Sequence, residues 1–566
     1  MRELKKGTVL IVRAYAGLHV VTLAWDFVSE DSARKVDLLG FAIERTELKN
    51  GVAIEQYFIR GIKRFKDKDQ GLSAGTPVPT SEHPIQSFQW GDYTADSGTT
   101  YRYRVVPAYG QPKLLRLDDD ASTTVEITTE AEEGGAQGAA PRHDIYFNRG
   151  VAGSQAYARR FGKTKPDPTK PLSDQMAWLS RGLFEALTFY IGRAAGKDAT
   201  DYGLRAMLYE FRYLPVGTAF RDAHRAGADV AIRYEAQSYK AENEAMIRSA
   251  GIKSICKPQE SRAGIRHNKF IVLLHKQKPI AVWTGSTNIS AGGIFGHSNV
   301  GHVIWDEAIA QRYLDYWLRL SEDDVARGPL VQENLGEQET PSIGVLPPAS
   351  PHLILFSPRD SAKSETLEWY ADLMASAKEV MCMTFAFNLD PIFEAVLEKK
   401  NSQTLNYAVF DKNLSSQITT KIDLERNTVI ASGAKLKPGD LENFIGEHLT
   451  GFNKNQYIHD KFLLIDPLGE DPIVITGTAN FSKSSQKAND ENMVVIRRNT
   501  RVADIYFGEF MRIFDHLYAR YIVGIMQQAH TNDPDAGFLK DNAQDWLSSH
   551  FKSGRKSLRR KYFLHA

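Results

Sequence analysis

The chain of 566 residues is longer than one hydrophobic core usually supports, which predicts about three or four domains. A hydrophobic fraction of 42% with 25% charged residues is ordinary for a globular protein, and the net charge of +1 decides neither for nor against nucleic acid. Two distant cysteines, Cys256 and Cys382, exclude a cysteine metal site and predict two small buried side chains.

Hydropathy along the chain excludes a membrane-spanning helix, because no apolar run reaches about 18 residues. The segment Met1 to Gly17 has only short apolar runs interrupted by Arg13, so no signal peptide is expected. The expected compartment is therefore the cytoplasm.

Residues 1–130 show the period-two pattern of short β-strands, which predicts an all-β sandwich. The predicted strands are Thr8–Tyr15, His19–Phe27, Gly40–Thr46, Thr100–Tyr109 and Thr123–Thr129. Trp25 lies in an early strand and Tyr101 lies where a tyrosine corner is common, so the segment resembles a fibronectin type III or immunoglobulin-like module. A generic β-domain with aromatic core residues remains the alternative. Without a catalytic cluster, this part is expected to position substrate or to bind a partner.

Two stretches rich in glycine, proline and small residues divide the remainder of the chain into two parts. The two parts repeat each other. Each part has alternating strands and helices, which predicts α/β units around a mixed sheet. The predicted organisation is a β-sandwich at 1–130, a linker at 131–141, a first repeat at 142–335, a linker at 336–351, a second repeat at 352–530, and a helical, basic tail at 531–566.

Each repeat contains a His-x-Lys motif on an apolar strand, followed by a Gly-[Ser/Thr]-x-Asn turn. The histidine and lysine of one motif project from the same face of the strand because they lie two residues apart. A lone strand histidine is usually structural. A lysine on the same buried face places an unpaired charge in the protein interior at a high free-energy cost, which favours a functional role. The two sets have identical spacing, with the asparagine 21 residues after the histidine; they are His267, Lys269 and Asn288, and His459, Lys461 and Asn480.

These motifs resemble the signatures of the phospholipase D superfamily over about residues 142–530. The second repeat resembles the small bacterial endonuclease branch, in its run from His459 through Phe481-Ser-Lys483 to Asn489-Asp-Glu491-Asn492. The resemblance implies a two-step mechanism without metal or cofactor. One histidine attacks phosphorus to give a phosphohistidine, the other protonates the leaving oxygen and then activates water, and the lysines and asparagines hold the non-bridging oxygens.

The first repeat departs from the pattern at two positions. Leu274 stands where the second repeat has Asp466, and Asn299 stands where it has Glu491. In the endonuclease branch that glutamate position hydrogen-bonds the motif histidine, so Glu491 is expected to pair with His459 and Asn299 with His267. A carboxylate favours imidazolium, which predicts His459 as the general acid and His267 as the nucleophile.

A degenerate first repeat is the rival interpretation of the missing aspartate. The tyrosyl-DNA phosphodiesterases of the same superfamily resemble this repeat in lacking that residue. The predicted catalytic set therefore comprises His267, Lys269, Asn288, His459, Lys461, Asn480, Asp466 and Glu491.

The expected substrate is nucleic acid, with phospholipid as the alternative and an inactive scaffold as a third possibility. The segment Phe551–Lys561 carries six cationic residues within eleven, which suits backbone phosphates, although a solvated or disordered terminus explains it equally well. Apolar loops for lipid are scarce, at Gly292–Gly296 and Phe444–Gly446. The candidate substrate-binding residues are Ser286, Thr478, Arg262 and Arg266. Both half-sites lie in one chain, so a monomer is expected to be catalytically complete, while further assembly stays open.

Overall fold

The computed structural model describes residues 1–565 apart from the segments 30–34, 73–74, 135–140, 151–153, 163, 260–263, 323–325, 341–347, 360–363, 387–388, 399–402, 412–426, 433–457 and 529–536. Parts of both predicted linkers, together with Arg262 and Phe444–Gly446, therefore lie outside the described residues.

The N-terminal part is an all-β structure of two antiparallel sheets. The first sheet contains, in spatial order, Arg2–Lys6, Leu10–Ala16, Val21–Phe27 and Gln89–Asp92. The second contains, in spatial order, Leu114–Leu117, Thr100–Gln111, Leu38–Lys49 and Val52–Phe58, and Thr123–Thr128 also pairs with Thr100–Gln111. A two-stranded ribbon joins Arg60–Gly61 to Val78–Pro79, and a 3-10 turn spans Asp119–Ala121. All five predicted strands are present, with ends shifted by a few residues.

The core of this β-structure is aromatic. Trp25 is fully buried and packs edge-on against Phe41, with ring centroids 5.4 Å apart. The Tyr101 hydroxyl accepts a hydrogen bond from the backbone N–H of Asp96 at 2.8 Å, five residues upstream. This bond ties the segment before the long strand to the buried Tyr101 side chain.

The first repeat contains a seven-stranded mixed sheet. Its strands, in spatial order, are Arg142–Phe147, Val300–Trp305, Lys278–Gly285, Lys269–His275, Tyr202–Leu208, Asp229–Glu235 and Cys256–Gln259. Its α-helices are Ser154–Phe161, Asp174–Ser180, Leu183–Gly192, Leu214–Ala226, Lys240–Ala250, Glu307–Ser321 and Arg327–Glu337. Short 3-10 turns span Arg193–Ala195, Ala199–Asp201 and Lys253–Ile255, and one π-helical turn spans Gly292–Gly296.

The second repeat contains another seven-stranded mixed sheet. Its strands, in spatial order, are His352–Ser357, Glu491–Arg497, Ile473–Gly477, Phe462–Ile465, Val380–Phe385, Leu405–Phe410 and Thr428–Ser432. Its helices are Glu365–Ala375, Pro391–Leu397, Lys483–Lys487 and Thr500–Gln528. Numbered along the chain within each repeat, both sheets have the strand order 1-7-6-5-2-3-4.

Each sheet is buried on both faces. The outer face of each packs on helices of its own repeat, in two separate clusters of buried side chains. The inner faces contribute to one common core, in which Phe270 and Val282 of the first repeat join Phe462 and Val474 of the second. This common core holds the strand ends that carry the two His-x-Lys motifs close to each other.

The described part of the C-terminal segment is helical and packs against the protein. Its helices span Ala543–Phe551 and Arg555–Leu564. Trp546 enters the core of the β-structure, and its indole N–H donates to the carbonyl of Leu38 at 2.9 Å. Arg560 is buried in an ion pair with Asp26 at 2.7 Å, and Arg559 donates to Gln89. A solvated or disordered terminus is therefore wrong, and three of the six cations counted as phosphate ligands, Lys556, Arg559 and Arg560, have partners within the protein.

Both cysteines are free, and Cys382 is fully buried whereas Cys256 is partly exposed. Among the described residues, no helix combines the length and the apolar character that crossing a membrane requires.

Candidate active site

The two His-x-Lys motifs lie at equivalent strand ends. Lys269 begins the strand Lys269–His275 and pairs with Leu208, while Lys461 immediately precedes Phe462–Ile465. In each motif the lysine ammonium donates to the carbonyl of its own histidine at 2.6 Å. All four residues are at most 5% exposed, so the lysine ammonium groups are held where water solvates them poorly.

Two short backbone bridges join the repeats beside these motifs. Arg266 forms a parallel bridge with Asp490, and Ile458 forms the equivalent bridge with Ser298. In each case the N–H of the following histidine donates across the junction, His267 to the carbonyl of Asp490 at 3.1 Å and His459 to that of Ser298 at 3.2 Å. Each histidine backbone is therefore fixed by the opposite repeat.

The side-chain partners of the two histidines are also exchanged between the repeats. His267 Nδ1 lies 2.7 Å from Glu491 Oε2, and His459 Nδ1 lies 2.8 Å from Asn299 Oδ1. The predicted pairing of His459 with Glu491 and of His267 with Asn299 is wrong. It assumed that each histidine takes the partner from its own repeat, whereas the parallel bridges place each partner beside the histidine of the other repeat.

The surrounding hydrogen bonds fix the orientation of both partners. Asn299 Nδ2 donates to the carbonyl of Gly293 and its Oδ1 accepts from Ser286, both at 2.8 Å. Glu491 Oε1 accepts from Asn489 Nδ2 at 3.0 Å, which leaves Oε2 for His267. Both acceptors require a proton on histidine Nδ1, so the Nε2 atoms of both rings are free to take part in chemistry.

Burial dominates the electrostatics of the site. It lowers the pKa of His267 to about 4, against the opposing effect of Glu491, and it lowers the pKa of His459 well below the usual value, with Lys461 acting in the same direction. Burial also lowers the pKa of Lys461 to about 7, and it lowers the pKa of Lys269 strongly. Although burial acts against it, the pKa of Glu491 is lowered by His267 and Lys269. Both imidazoles are therefore neutral at neutral pH, and a bound anion would stabilise the charged forms of the buried lysines and histidines.

The two motif asparagines have different neighbours. Asn288 Nδ2 donates to Glu210 Oε1 at 2.8 Å, and Arg212 donates to Glu210 Oε2 at 2.6 Å. Asn480 lines a small cavity together with Lys461 and Thr384. Within the described part of the chain, neither asparagine Oδ1 has a hydrogen-bond partner.

Asp466 does not lie with the other predicted catalytic residues. It follows the far end of Phe462–Ile465 with a left-handed backbone (φ 44°), and its carboxylate accepts from the N–H groups of Lys378, Glu379 and Val380 at 2.8–3.2 Å. Its catalytic assignment is corrected to a structural one. Leu274, its counterpart, is a core side chain, so the difference at this position leaves the chemistry of the first repeat untouched.

Three of the four predicted substrate-binding residues make contacts within the protein. The hydroxyls of Ser286 and Thr478 are buried, and they bond Asn299 and the backbone of Asn492 respectively. Arg266 is partly buried in an ion pair with Asp490, and Arg262 lies outside the described residues. For Ser286, Thr478 and Arg266 these contacts replace the predicted role with one inside the protein.

Sequence reasoning missed Tyr209 and Glu210. The Tyr209 ring lies 4.7 Å from the His267 ring, and the Lys269 ammonium lies 4.9 Å from the Tyr209 ring centroid. Both residues directly follow the strand Tyr202–Leu208, which is the hydrogen-bonded neighbour of the motif strand. Polar residues at that strand end were the available signal.

Comparison with known proteins gives a partial match. Residues 370–516 match the family model described as cardiolipin synthase, PLD-like domain. No curated protein matches the chain.

Similar solved structures include the phospholipase D family member Nuc from Salmonella typhimurium, at 23% identity over 23% of this chain and 84% of that one, with a TM-score of 0.20. Phosphatidylserine synthase from Haemophilus influenzae matches at 8% identity over 62% and 92% (TM-score 0.39). Yeast tyrosyl-DNA phosphodiesterase matches at 12% over 53% and 85% (TM-score 0.32). The family-model segment contains His459, Lys461, Asn480 and Glu491, and it supports the phospholipase D superfamily for the repeat that carries them.

Proposed function

We propose that this protein is a phosphodiesterase that works through a phosphohistidine intermediate without a metal ion or other cofactor. The observation that carries this proposal is the exchange of partners across the repeats, in which His267 bonds Glu491 and His459 bonds Asn299. The two motifs lie close enough for Lys461 to lower the pKa of His267 and for Lys269 to lower that of His459. That arrangement suits an anion that is attacked from one side and protonated on the other.

His267 is the proposed nucleophile. Its pKa of about 4 keeps the ring neutral at neutral pH, and Glu491 holds the proton on Nδ1, so the Nε2 lone pair is available. The new bond joins Nε2 to phosphorus while the bond from phosphorus to the leaving oxygen breaks. Positive charge then develops on the ring, and the ionised Glu491 stabilises it, as the carboxylate does in a Ser-His-Asp triad. His267 is also the nucleophile predicted from the sequence. That prediction assumed a neutral amide partner, whereas the present proposal depends on the Glu491 carboxylate.

His459 is the proposed general acid and base. It must carry a proton on both ring nitrogens when the first step begins, and the negative charge of the arriving diester raises its pKa for that purpose. The Nε2 proton passes to the leaving oxygen. In the second step neutral His459 takes a proton from water, the hydroxide attacks phosphorus, and the bond to His267 breaks. The products are an alcohol and a phosphomonoester, with both histidines restored.

The lysines and asparagines are proposed to hold the non-bridging oxygens. Lys269 and Lys461 are buried, so an approaching anion repays part of the cost of their desolvation. Glu210 is a positioning residue in this scheme, because it fixes the amide of Asn288 through a 2.8 Å bond.

Nucleic acid is the proposed substrate, and its support is the resemblance of the second repeat to the endonuclease branch in the run that ends at Asn489–Asn492. The contacts made by that run fit the resemblance, since Asn489 orients Glu491 and Glu491 orients His267. The packed C-terminal helix adds less to this support than the sequence suggested. The lipid alternative also loses support, because Ile294 and Phe295 of the apolar loop are fully buried.

The test is cleavage of single-stranded and duplex oligonucleotides in excess EDTA by the wild type, His267→Asn and His459→Asn. His224→Asn, at an exposed helical position, is the matched control. We expect EDTA-resistant cleavage that both site variants abolish and the control retains, with labelled phosphate recovered on His267. Hydrolysis of phosphatidylcholine vesicles, without cleavage of the oligonucleotides, would show that the substrate is a phospholipid. Inactivity on both would contradict the proposed function.

A further inference from the structure

Beside His267 lies a group of aromatic and cationic side chains that the proposed chemistry does not use. Tyr209 and Tyr239 meet edge to face, with ring centroids 5.3 Å apart and planes at 80°. The Arg212 guanidinium lies 4.7 Å from the Tyr239 ring centroid. We call these three residues the aromatic ledge.

Two carboxylates fix the residues of the ledge in position. Glu210 accepts from Arg212 at 2.6 Å and also fixes Asn288. Glu235 is buried and accepts from the backbone N–H groups of Gln237, Ser238 and Tyr239 at 2.6–2.9 Å. The loop that carries Tyr239 is therefore fixed before any ligand binds, which reduces the entropy lost on binding.

The ledge also has an accessible surface directly next to the reacting atoms. The Arg212 side chain is 37% exposed, and Tyr209 and Tyr239 are both partly exposed. Tyr209 contacts the His267 ring at 4.7 Å. A group attached to a phosphorus that is bound at His267 Nε2 thus lies within one side-chain length of the ledge.

The chemistry of the ledge selects among possible groups. Tyrosine rings and a guanidinium plane stack on flat, neutral, aromatic ligands, and stacking of this kind is how proteins bind unpaired nucleobases. A quaternary ammonium head group also binds tyrosine rings. The Arg212 guanidinium already lies over the Tyr239 ring, however, and its positive charge repels a cationic head group. Acyl chains gain little from a surface that carries a charge.

We propose that the aromatic ledge is a stacking subsite for the nucleobase next to the scissile phosphate, so that the substrate is single-stranded nucleic acid. This inference rests on the proposed function. A base within a duplex has both faces covered by its neighbours, and bringing it onto the ledge costs a few kcal/mol of unstacking and unpairing. Unpaired strands avoid that cost.

The test is a thermodynamic cycle in which the Tyr239 ring and a substrate base are removed singly and together. The substrates are a dinucleotide with a single phosphodiester bond and the same molecule with either base replaced by hydrogen. The variants are Tyr239→Ala and Tyr239→Phe, with Tyr202→Ala as the control, since Tyr202 is partly exposed at the opposite end of the strand that precedes Tyr209. Tyr209 is left unchanged because it touches His267.

We expect Tyr239→Ala to lower kcat/KM on the intact dinucleotide by roughly 5- to 100-fold, with Tyr239→Phe and Tyr202→Ala close to wild type. On the dinucleotide that lacks the stacked base the loss should disappear. An equal loss on all substrates, no loss on any, or wild-type cleavage of duplex as fast as of single strand would overturn the subsite while leaving a nuclease. If the wild type cleaves no nucleic acid, the proposed substrate and the subsite fail together.

Discussion

Replacing Glu491 by glutamine tests most directly whether each motif histidine depends on its hydrogen-bond partner from the other repeat. Glu491 is fully buried, with one oxygen 2.7 Å from His267 Nδ1 and the other 3.0 Å from Asn489 Nδ2. A glutamine cannot satisfy both neighbours. If its oxygen faces His267, its amide N–H meets the donor of Asn489. If its amide faces His267, Nδ1 must accept and the proton moves to Nε2, which removes the nucleophilic lone pair.

The magnitude of the expected effect follows from these two arrangements. A hydrogen bond to a charged group contributes about 1.5–3 kcal/mol, which is roughly a 10- to 150-fold change in rate at about 1.4 kcal/mol per factor of ten. A wrong histidine tautomer costs up to about 10⁴-fold in the Ser-His-Asp case. We therefore expect Glu491→Gln to slow phosphohistidine formation by roughly 10²- to 10⁴-fold.

The assay is rapid-quench measurement of the first turnover on two diesters, one with an alkoxide leaving group and one with p-nitrophenolate. Because p-nitrophenolate leaves without a proton, only loss of the nucleophile slows both substrates. Glu491→Gln should slow both alike. Asn299→Ala, at the matching position beside His459, should slow the alkoxide substrate alone. The reverse pattern would show that His459 is the nucleophile and would refute the reasoning.

Four further outcomes are expected. The pKa of Lys461 is lowered to about 7, so its charge is present below that pH and lost above it, and the affinity for a non-cleavable diester should fall as pH rises through 7. In Lys461→Arg the fall should move to higher pH, and an unmoved fall would contradict this role. His267 must be neutral, so the acidic limb should lie near its pKa of about 4 when kcat/KM is followed downward in pH. Asp466→Ala should lower the free energy of unfolding by roughly 2–4 kcal/mol in urea titrations, with kcat/KM of the folded enzyme unchanged. Trp546→Ala should cost roughly 3–5 kcal/mol by the same measurement, and a stable variant would show that the C-terminal helix is not part of the β-core.

Much of the fold could be predicted because its signals are local. Period-two patterns located the N-terminal strands, and the matched spacing of the two His-x-Lys motifs located the strand ends that carry the site. Strand order and the common core depend on packing between distant segments. The sequence therefore predicted mixed sheets without predicting how they meet.

The errors at the site have one physical origin. Glu491 lies at the same spacing from His459 as Asn299 does from His267, so proximity in sequence favoured pairing within a repeat. The bridges at Arg266–Asp490 and Ser298–Ile458 reverse that pairing, and no local pattern encodes them. The basic C-terminal segment misled for a related reason, since charge density does not reveal that Arg560 has a carboxylate partner more than five hundred residues earlier in the chain.

The bridges between the repeats also bear on when this site becomes active during synthesis. His267 leaves the ribosome well before residues 458–492, which supply its backbone acceptor and its carboxylate. Until they arrive, the imidazole has neither a fixed tautomer nor a fixed direction, and the second lysine is absent. Under the proposed mechanism, a nascent chain that has folded only its first repeat would be inactive. Activity would begin with the last segment of the second sheet, so completion of the fold and onset of the proposed catalysis would be a single event.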